Sequence, residues 1–486
     1  MANFSHARAE YNDAAKSWQL VKDCVAGSRA IKDQGILYLP MPDPTNTSAE
    51  NVARYEALLK RAMFLNITGR TRQGLIGAVF RKTAEVDLPD SVNYLIENAS
   101  GDGTSLEQLS KEAVGEDLDT GRGGFFVDYP TSNAPEGTRP TRAQTAGKNA
   151  HIHLYEAMSI INWREDVIDG VRKLTLVVFA EHFNDDESDE FTFNVKKQYR
   201  ALTLEGGTYR HRVWRESDAY ESPLLDVIPT SFTGKAFDHI PFYFFGAESN
   251  DARIDKAPLE DLAEVNVLHY GNSATVEESG FISSQPTLFF TTDISQDEFQ
   301  QWNPGGIQIG STCGYSLGKA GTATLVQANE SQLALKLMQE KENQMLMIGA
   351  RIVQQSGQNE TAEAARIRYS SDNSVLGTIA GNVSEALKRA ILDAQLYMSG
   401  QADMANTVFW LNQEFFDASL TSQDVLALIQ SWQQGIIAKS DVRTKFRQTG
   451  WLEADRNDDD IDDERSQEPP IEGSTVPNEP DPVTED

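Results

Sequence analysis

Ala257-Pro258-Leu259-Glu260-Asp261-Leu262-Ala263-Glu264-Val265-Asn266-Val267-Leu268-His269-Tyr270-Gly271-Asn272-Ser273-Ala274 opens a helix that a solitary globule has little use for. Pro258 suits a first-turn position, where its missing N–H costs nothing. Leu259, Leu262, Val265 and Leu268 recur every three residues and predict one apolar face. From Tyr270 through Ser279 the chain is mostly polar. A helix with so little to bury is stabilised either by lying beside identical helices in a ring or by plain solvation.

Downstream, Gln285 to Ala328 is mixed. Leu288-Phe289-Phe290 reads as a strand, Gln296 to Trp302 as a short helix, and a glycine-rich strand region follows. A second long helix is expected over Glu330–Ile352, with Leu337, Met338, Met345 and Ile348 on one face. The uncharged run Gln354-Gln355-Ser356-Gly357-Gln358-Asn359 interrupts it, and Thr361–Tyr369 resumes it. Leu376, Ala380, Val383, Leu387, Ala390, Ala394 and Met398 form the clearest apolar stripe in the chain. Thr407–Leu411 reads as a strand, and Ser422–Gln434 and Ser440–Gln448 as helices ending at Gly435 and Gly450. The acid- and proline-rich end cannot bury enough apolar area to offset chain entropy and reads as disordered.

Upstream, helices are expected over Tyr11–Ala30, Asn51–Phe64 and Thr71–Phe80. Gly101-Asp102-Gly103 is a turn, and Thr104 with Glu107, or Ser105 with Gln108, offers a capping box for a helix to Asp119. Gly121, Gly123 and Gly124 end it ahead of the strand Phe125–Pro130, and Thr131–Asn149 reads as a loop. From His151 to Phe245 the period changes to two. Lys173–Phe183, Phe191–Leu204 and Thr208–Trp214 then predict an antiparallel meander, with the acidic hairpin loop Asn184–Glu190 between the first two. Helices flanking such a meander make the fold class α+β.

Composition narrows function. At 486 residues and 40% hydrophobic, the chain affords a sizeable core. Its net charge of −30 argues against a protein that grips nucleic acid by neutralising phosphates. Charge alone is compatible both with a channel through which DNA must slide and with a protein that never meets DNA. Cys24 and Cys313 stand far apart, outside any CxxC pair, and are expected as reduced thiols. The N-terminus lacks a basic segment and apolar run, so the cytoplasm is the expected site of synthesis. Gly147-Lys148, Gly234-Lys235 and Gly318-Lys319 are not followed by Ser or Thr, so no nucleotide-cradling loop is expected. No Gly-x-Ser-x-Gly elbow is present. The acidic loop near His182 has ligand types for a hard cation without a calcium-loop spacing, and His151 with His153 lacks two further zinc ligands. No cofactor, metal site or catalytic residue is expected.

The stretch 257–274, with Gln285-Pro286-Thr287-Leu288-Phe289-Phe290 after it, resembles a signature in one branch of the portal (head–tail connector) proteins of tailed bacteriophages. Leu118–Pro130 is similar to that family's helix, glycine turn and strand, and Met345–Arg351 to the end of its second stem helix. Thr361–Ala365 and Asn373–Leu376 are similar to the helix after its tunnel loop. The order of elements agrees over roughly residues 10 to 450, although only the stem-helix stretch is specific by itself. Gly271 stands where the family usually has a basic residue and Thr275 where it has an acid, which puts one contact within or between subunits in doubt.

The resemblance implies a portal fold: a wing over 1–256, stem helices over 257–284 and 329–350, and a clip over 285–328. It further implies a tunnel loop and wing helix over 351–400 and a crown over 401–455, after which the tail read from composition, 456–486, remains. It implies a homo-oligomeric ring, commonly of twelve subunits, at one capsid vertex of the virion, through which double-stranded DNA passes without sequence specificity. The implied partners are the terminase packaging motor, the major capsid protein, scaffold, and tail or adaptor proteins. Gln354, Gln355, Ser356, Gly357, Gln358 and Asn359 fall at the tunnel loop, where amides could touch DNA without an electrostatic trap. Lys319, Lys336, Lys341 and Arg351 could line the channel or be ordinary solvated charges. The competing readings are a hydrolase with a helical N-terminal region and a β domain, and another capsid-vertex structural protein.

Overall fold

The computed structural model describes residues 4–130, 147–184, 195–215, 223–284, 287–304, 317–326, 332–353, 375–413, 415, 422–434, 436–448, 452, 456–458 and 460–462. The expected tunnel loop 354–359, the acidic loop 185–190, Cys313 and the helix expected over Thr361–Tyr369 lie outside them. The chain forms two compact units, Met1–Gln413 and Glu414–Asp486. The division falls at 413/414, beyond the residue 401 expected for the crown.

In the first unit, α1 (Ala9–Ala26) buries Trp18, Val21 and Cys24. Gly27, at φ 94, breaks the single helix expected there, and α2 (Ser28–Asp33) follows. Next come α3 (Ala49–Arg61) and α4 (Ile67–Val79), the latter capped by Asn66 accepting from Gly69 N–H at 2.7 Å. After the short β1 (Glu85–Asp87), α5 (Leu106–Thr120) begins at Ser105, whose hydroxyl accepts from Gln108 N–H. It ends at Gly121 in the left-handed conformation.

β2 (Arg122–Asp128) is the centre of a three-stranded antiparallel sheet, between β3 (His151–Glu156) and a strand from much later in the chain. Next in the chain is the meander: β4 (Ile160–Ile168), β5 (Val171–Asn184), β6 (Val195–Glu205), β7 (Thr208–Arg215) and β8 (Leu225–Val227), each paired antiparallel with the next. β9 (Phe242–Gly246) is the late strand that pairs with β2. The rings of Phe245 and Phe242 lie so close to Gly123 and Gly124 that a Cβ there would sit 2.2 and 2.1 Å from them. The meander does not show a clean two-residue alternation, because Val177, Val178 and Phe179 are all buried. Phe179 faces Phe242 and Tyr155 of the smaller sheet, while Val178 joins Ile161 and Ala201 against Ala7 and Tyr11. Both faces are covered there, so the period is lost.

α6 (Glu260–Ser283) leads to a ribbon of β10 (Thr287–Thr291) and β11 (Thr322–Val326), with α7 (Gln296–Trp302) between its strands. α8 (Gln332–Val353) runs back. α9 (Val375–Met398) buries the expected stripe from Leu376 to Ala394 in the body. β12 (Val408–Trp410) pairs with β1. In the second unit, α10 (Ser422–Gln433) and α11 (Lys439–Gln448) match the expected helices to within one residue. Residues 456–458 and 460–462 are the described part of the acidic end read as disordered from composition. There Asp458 and Asp462 have cationic partners on α11. Mixed helices and antiparallel sheets make the fold α+β.

Candidate functional site

The feature that the rest of the first unit positions is the excursion α6–β10–β11–α8. Its base is fixed by residues of the 257–274 stretch. Asn266 is fully buried: its carbonyl accepts from the N–H and hydroxyl of Thr68 at 3.2 and 2.9 Å, and its amide donates to the Leu65 carbonyl at 2.9 Å. Tyr270 is fully buried edge-on to Phe64. His269, 1% exposed, places Nε2 3.1 Å from Glu342 of α8 and so ties the two long helices together. Since Thr287 pairs with Val326 at the ribbon's foot, the helices run antiparallel. Gly349 lets α8 approach α4, where a Cβ would lie 3.2 Å from Thr71.

The excursion also exposes apolar side chains, both beside this base and beyond it. Leu268, Phe281, Ile282, Leu333, Leu346 and Met347 are all exposed. Leu268 departs from the expected face for a geometric reason. Residues three apart drift by about 60° per step on a helix of 3.6 residues per turn, so by the third step the side chain has turned to the far side. Phe289, Leu325 and Val326 of the ribbon are 58%, 55% and 51% exposed. Every residue of β11 is exposed. Two strands without a covered face are marginal in water, so this ribbon needs a surface that the described residues do not supply. α6 carries Glu260, Asp261, Glu264, Glu277 and Glu278 and no Lys or Arg. Arg54 of α3 pairs with Glu278 at 2.7 Å, and Arg61 lies 4.2 Å above the Phe281 ring.

The four candidate channel cations do not form one row. Lys319 is exposed beside the ribbon, Lys336 is exposed and Lys341 half-buried on α8. Five positions separate Lys336 from Lys341, about 140° around the helix. Arg351 lies in the last turn of α8. His151 and His153 share one side of β3, as the period of two requires. Among the described residues no group of three or more His, Cys, Asp or Glu is arranged to hold a metal ion.

Sequence reading missed a second feature, a hub of buried charge where α5 meets β2. Glu116 accepts from Lys22 Nζ and Ala157 N–H, both at 2.9 Å. Burial pushes its carboxyl up to about 7, because desolvation outweighs the attraction of Lys22. Asp119 takes Arg72 Nε on both oxygens at 2.7 and 2.8 Å. Asp117 is fully buried with neither oxygen hydrogen-bonded, and burial, with Asp255 and Glu116 nearby, holds it well above the carboxylate range. Arg122, 1% exposed, lies between the rings of Trp163 and Phe244 at 3.8 and 4.3 Å. Burial pulls its guanidinium down to about 9. Acids and bases in an acidic chain read as solvated, so no local pattern marks this hub.

Two polar clusters bear on the hydrolase reading. His239 has Nδ1 3.0 Å from Asp238 and Nε2 3.0 Å from Asp393, which also accepts from Tyr243 at 2.7 Å. Burial lowers His239, but Asp393 and then Asp238 outweigh it and hold the imidazole raised to about 9. With both nitrogens on carboxylates it is a cationic cross-link with no lone pair to offer a substrate. A cleft of about 640 Å³ is lined by Tyr11, Tyr155, Glu181, His182, Lys197 and Tyr199, among others. Glu181 there is committed to Tyr155, to Gln198 at 2.5 Å and to Arg200 at 2.6 Å.

A family model described as a domain of unknown function (DUF4055) matches residues 258–398, which spans α6 through α9. No curated protein matches. A chain from the virion of a native gene transfer agent particle is similar at 13% identity and a TM-score of 0.40, over 80% of this chain and 92% of that one. A chain from the neck of the native particle, computed with C12 symmetry, is similar at 14% identity and 0.37, over 80% and 91%. A chain from the neck of the empty particle, computed with C6 symmetry, is similar at 14% and 0.37, over 88% and 99%. Among the described residues no helix is long and apolar enough to cross a membrane.

Proposed function

We propose that this chain is a portal protein, one subunit of a ring at a capsid vertex through which double-stranded DNA is packaged and ejected. The observation that carries the reading is the excursion α6–β10–β11–α8. It is a helix pair anchored by Asn266, Tyr270 and His269 that ends in a ribbon with exposed Phe289, Leu325 and Val326. Apolar surface of this kind marks a contact with other chains. In a ring, the neighbouring copy would cover it. The reading assigns α6 and α8 to the stem, 285–328 to the clip, 1–256 to the wing, 351–400 to the tunnel loop and wing helix, and the later segments to crown and tail.

Under this reading Gln354, Gln355, Ser356, Gly357, Gln358 and Asn359 form the constriction, where neutral amides touch the duplex without holding it. The carboxylates of α6 in each of about twelve copies would repel phosphate and lower adhesion. Lys319, Lys336, Lys341 and Arg351 would contribute scattered cations rather than a binding stripe. The clip would dock the terminase motor and later the tail or adaptor, and the wing would meet the major capsid protein and scaffold. The protein would act in the virion after assembly in the host cytoplasm, with no cofactor and no chemistry of its own on DNA.

Electron microscopy of the purified full-length chain tests the proposal. Rings with a central hole are expected at assembly concentration, and Phe289→Ser with Leu325→Ser is expected to reduce the assembled fraction at least tenfold. Monomers throughout, with and without scaffold, would overturn it.

A further inference from the structure

In a chain of net charge −30, α11 is a basic island. It carries Lys439, Arg443, Lys445 and Arg447 against a single acid, Asp441. Lys439, Arg443 and Arg447 stand four apart, so they form one row about 6 Å from member to member. The row is occupied by the chain's own acidic segment. Asp462 takes both Lys439 and Arg443, with Arg443 Nη1 reaching its second oxygen at 3.0 Å. Asp458 takes Arg447, and Arg443 Nη1 also donates to the Asp458 carbonyl at 3.2 Å. Arg447 Nε donates to the Arg456 carbonyl at 2.9 Å. Val442, about 100° around α11 from Arg443, is buried.

We propose that this row is a contact for the phosphate backbone of double-stranded DNA, which Asp458 and Asp462 occupy in cis as phosphate mimics. A linear row of cations fits a linear row of anions, and the planar forks of two arginines suit phosphate oxygens. A free acidic peptide is a poor competitor, because the tethered segment is held at high effective concentration. A duplex presents many contiguous phosphates and gains counterion release on binding, so it is the polyanion able to displace the segment. The acidic segment therefore sets how strongly the second unit holds DNA. The inference goes beyond the ring reading and does not need it: particle shape tests one, duplex binding the other.

The test uses the full-length chain and a fluorescent 30-base-pair duplex followed by anisotropy. Asp458→Asn with Asp462→Asn is expected to tighten binding about tenfold at low salt. It should also steepen the log–log salt dependence by about 0.9 for each phosphate engaged. Glu85→Gln with Asp87→Asn, which removes the same charge from exposed β1 positions, is expected to change binding less than about twofold. Adding Lys439→Gln, Arg443→Gln and Arg447→Gln to the first variant should return binding to the starting level. Arg447→Gln alone should give a partial return, and serves if the combined variant does not fold by circular dichroism. No gain in the acid-neutralised chain, an equal gain in the β1 control, or a gain that survives loss of the cations would overturn the proposal. So would capture of poly-glutamate but not duplex, which would make the row a protein contact.

Discussion

The α5–β2 junction and the α6–α8 excursion distribute side chains in opposite ways. At the junction Glu116, Asp117, Asp119 and Arg122 are buried. On the excursion Leu268, Phe281, Phe289, Leu333 and Leu346 are exposed. Burying charge is costly unless it is partnered, and the junction partners most of its groups inside the chain: Lys22 with Glu116, Arg72 with Asp119, two aromatic rings with Arg122. Such contacts fix where helix and sheet meet. The excursion leaves many of its apolar side chains exposed. Under the proposed ring reading, a neighbouring copy would cover the excursion.

The comparison breaks if the two regions respond alike to substitution. The largest effect is expected from Asp119→Ala, which strands Arg72 in a mostly buried site and should cost about 3–5 kcal/mol in urea unfolding. Asn266→Ala, at the excursion's base, leaves the buried Thr68 N–H and Leu65 carbonyl without their partner and should cost about 2 kcal/mol by the same measurement.

A third test uses pH. His239 is raised above its unfolded value, so its contribution is complete below about pH 6.5 and is lost as pH rises through about 9. The thermal midpoint should fall by a few degrees across that window, and His239→Gln should flatten the fall. An unchanged slope in the variant would assign the loss to other groups. The smallest effect on stability is expected from Leu346→Ser with Met347→Ser. The dispersed chain should change by less than about 0.5 kcal/mol, while the assembled fraction drops in electron micrographs. A loss of stability as large as that of Asp119→Ala would mean that the excursion belongs to the core.

Much of the secondary structure was legible because it rests on local chemistry. The Leu376–Ala394 stripe, the Ser105 cap and the Gly121 stop each lie within a few residues of what they control. The pairing of β1 with β12 was not legible, since three-residue strands more than three hundred positions apart carry no periodic signal. The arrangement of the candidate site was half legible. The 257–274 stretch was conspicuous, but Asn266 and His269 read there as part of a resemblance. Their partners Thr68 and Glu342 come from elsewhere in the chain.

By itself the sequence determined the α+β class, the two long helices with a strand region between them, and the acidity of the whole. Spacing, capping and charge are properties of neighbours along the chain, so a reader of the chain can recover them. Only the tertiary structure decided that carboxylates at 116, 117 and 119 lie inside while leucines at 268, 333 and 346 lie outside, and that the basic row of α11 is paired with Asp458 and Asp462 from further along the chain. Burial and partnership depend on what folding brings together across the chain, and no local pattern of residues carries that information.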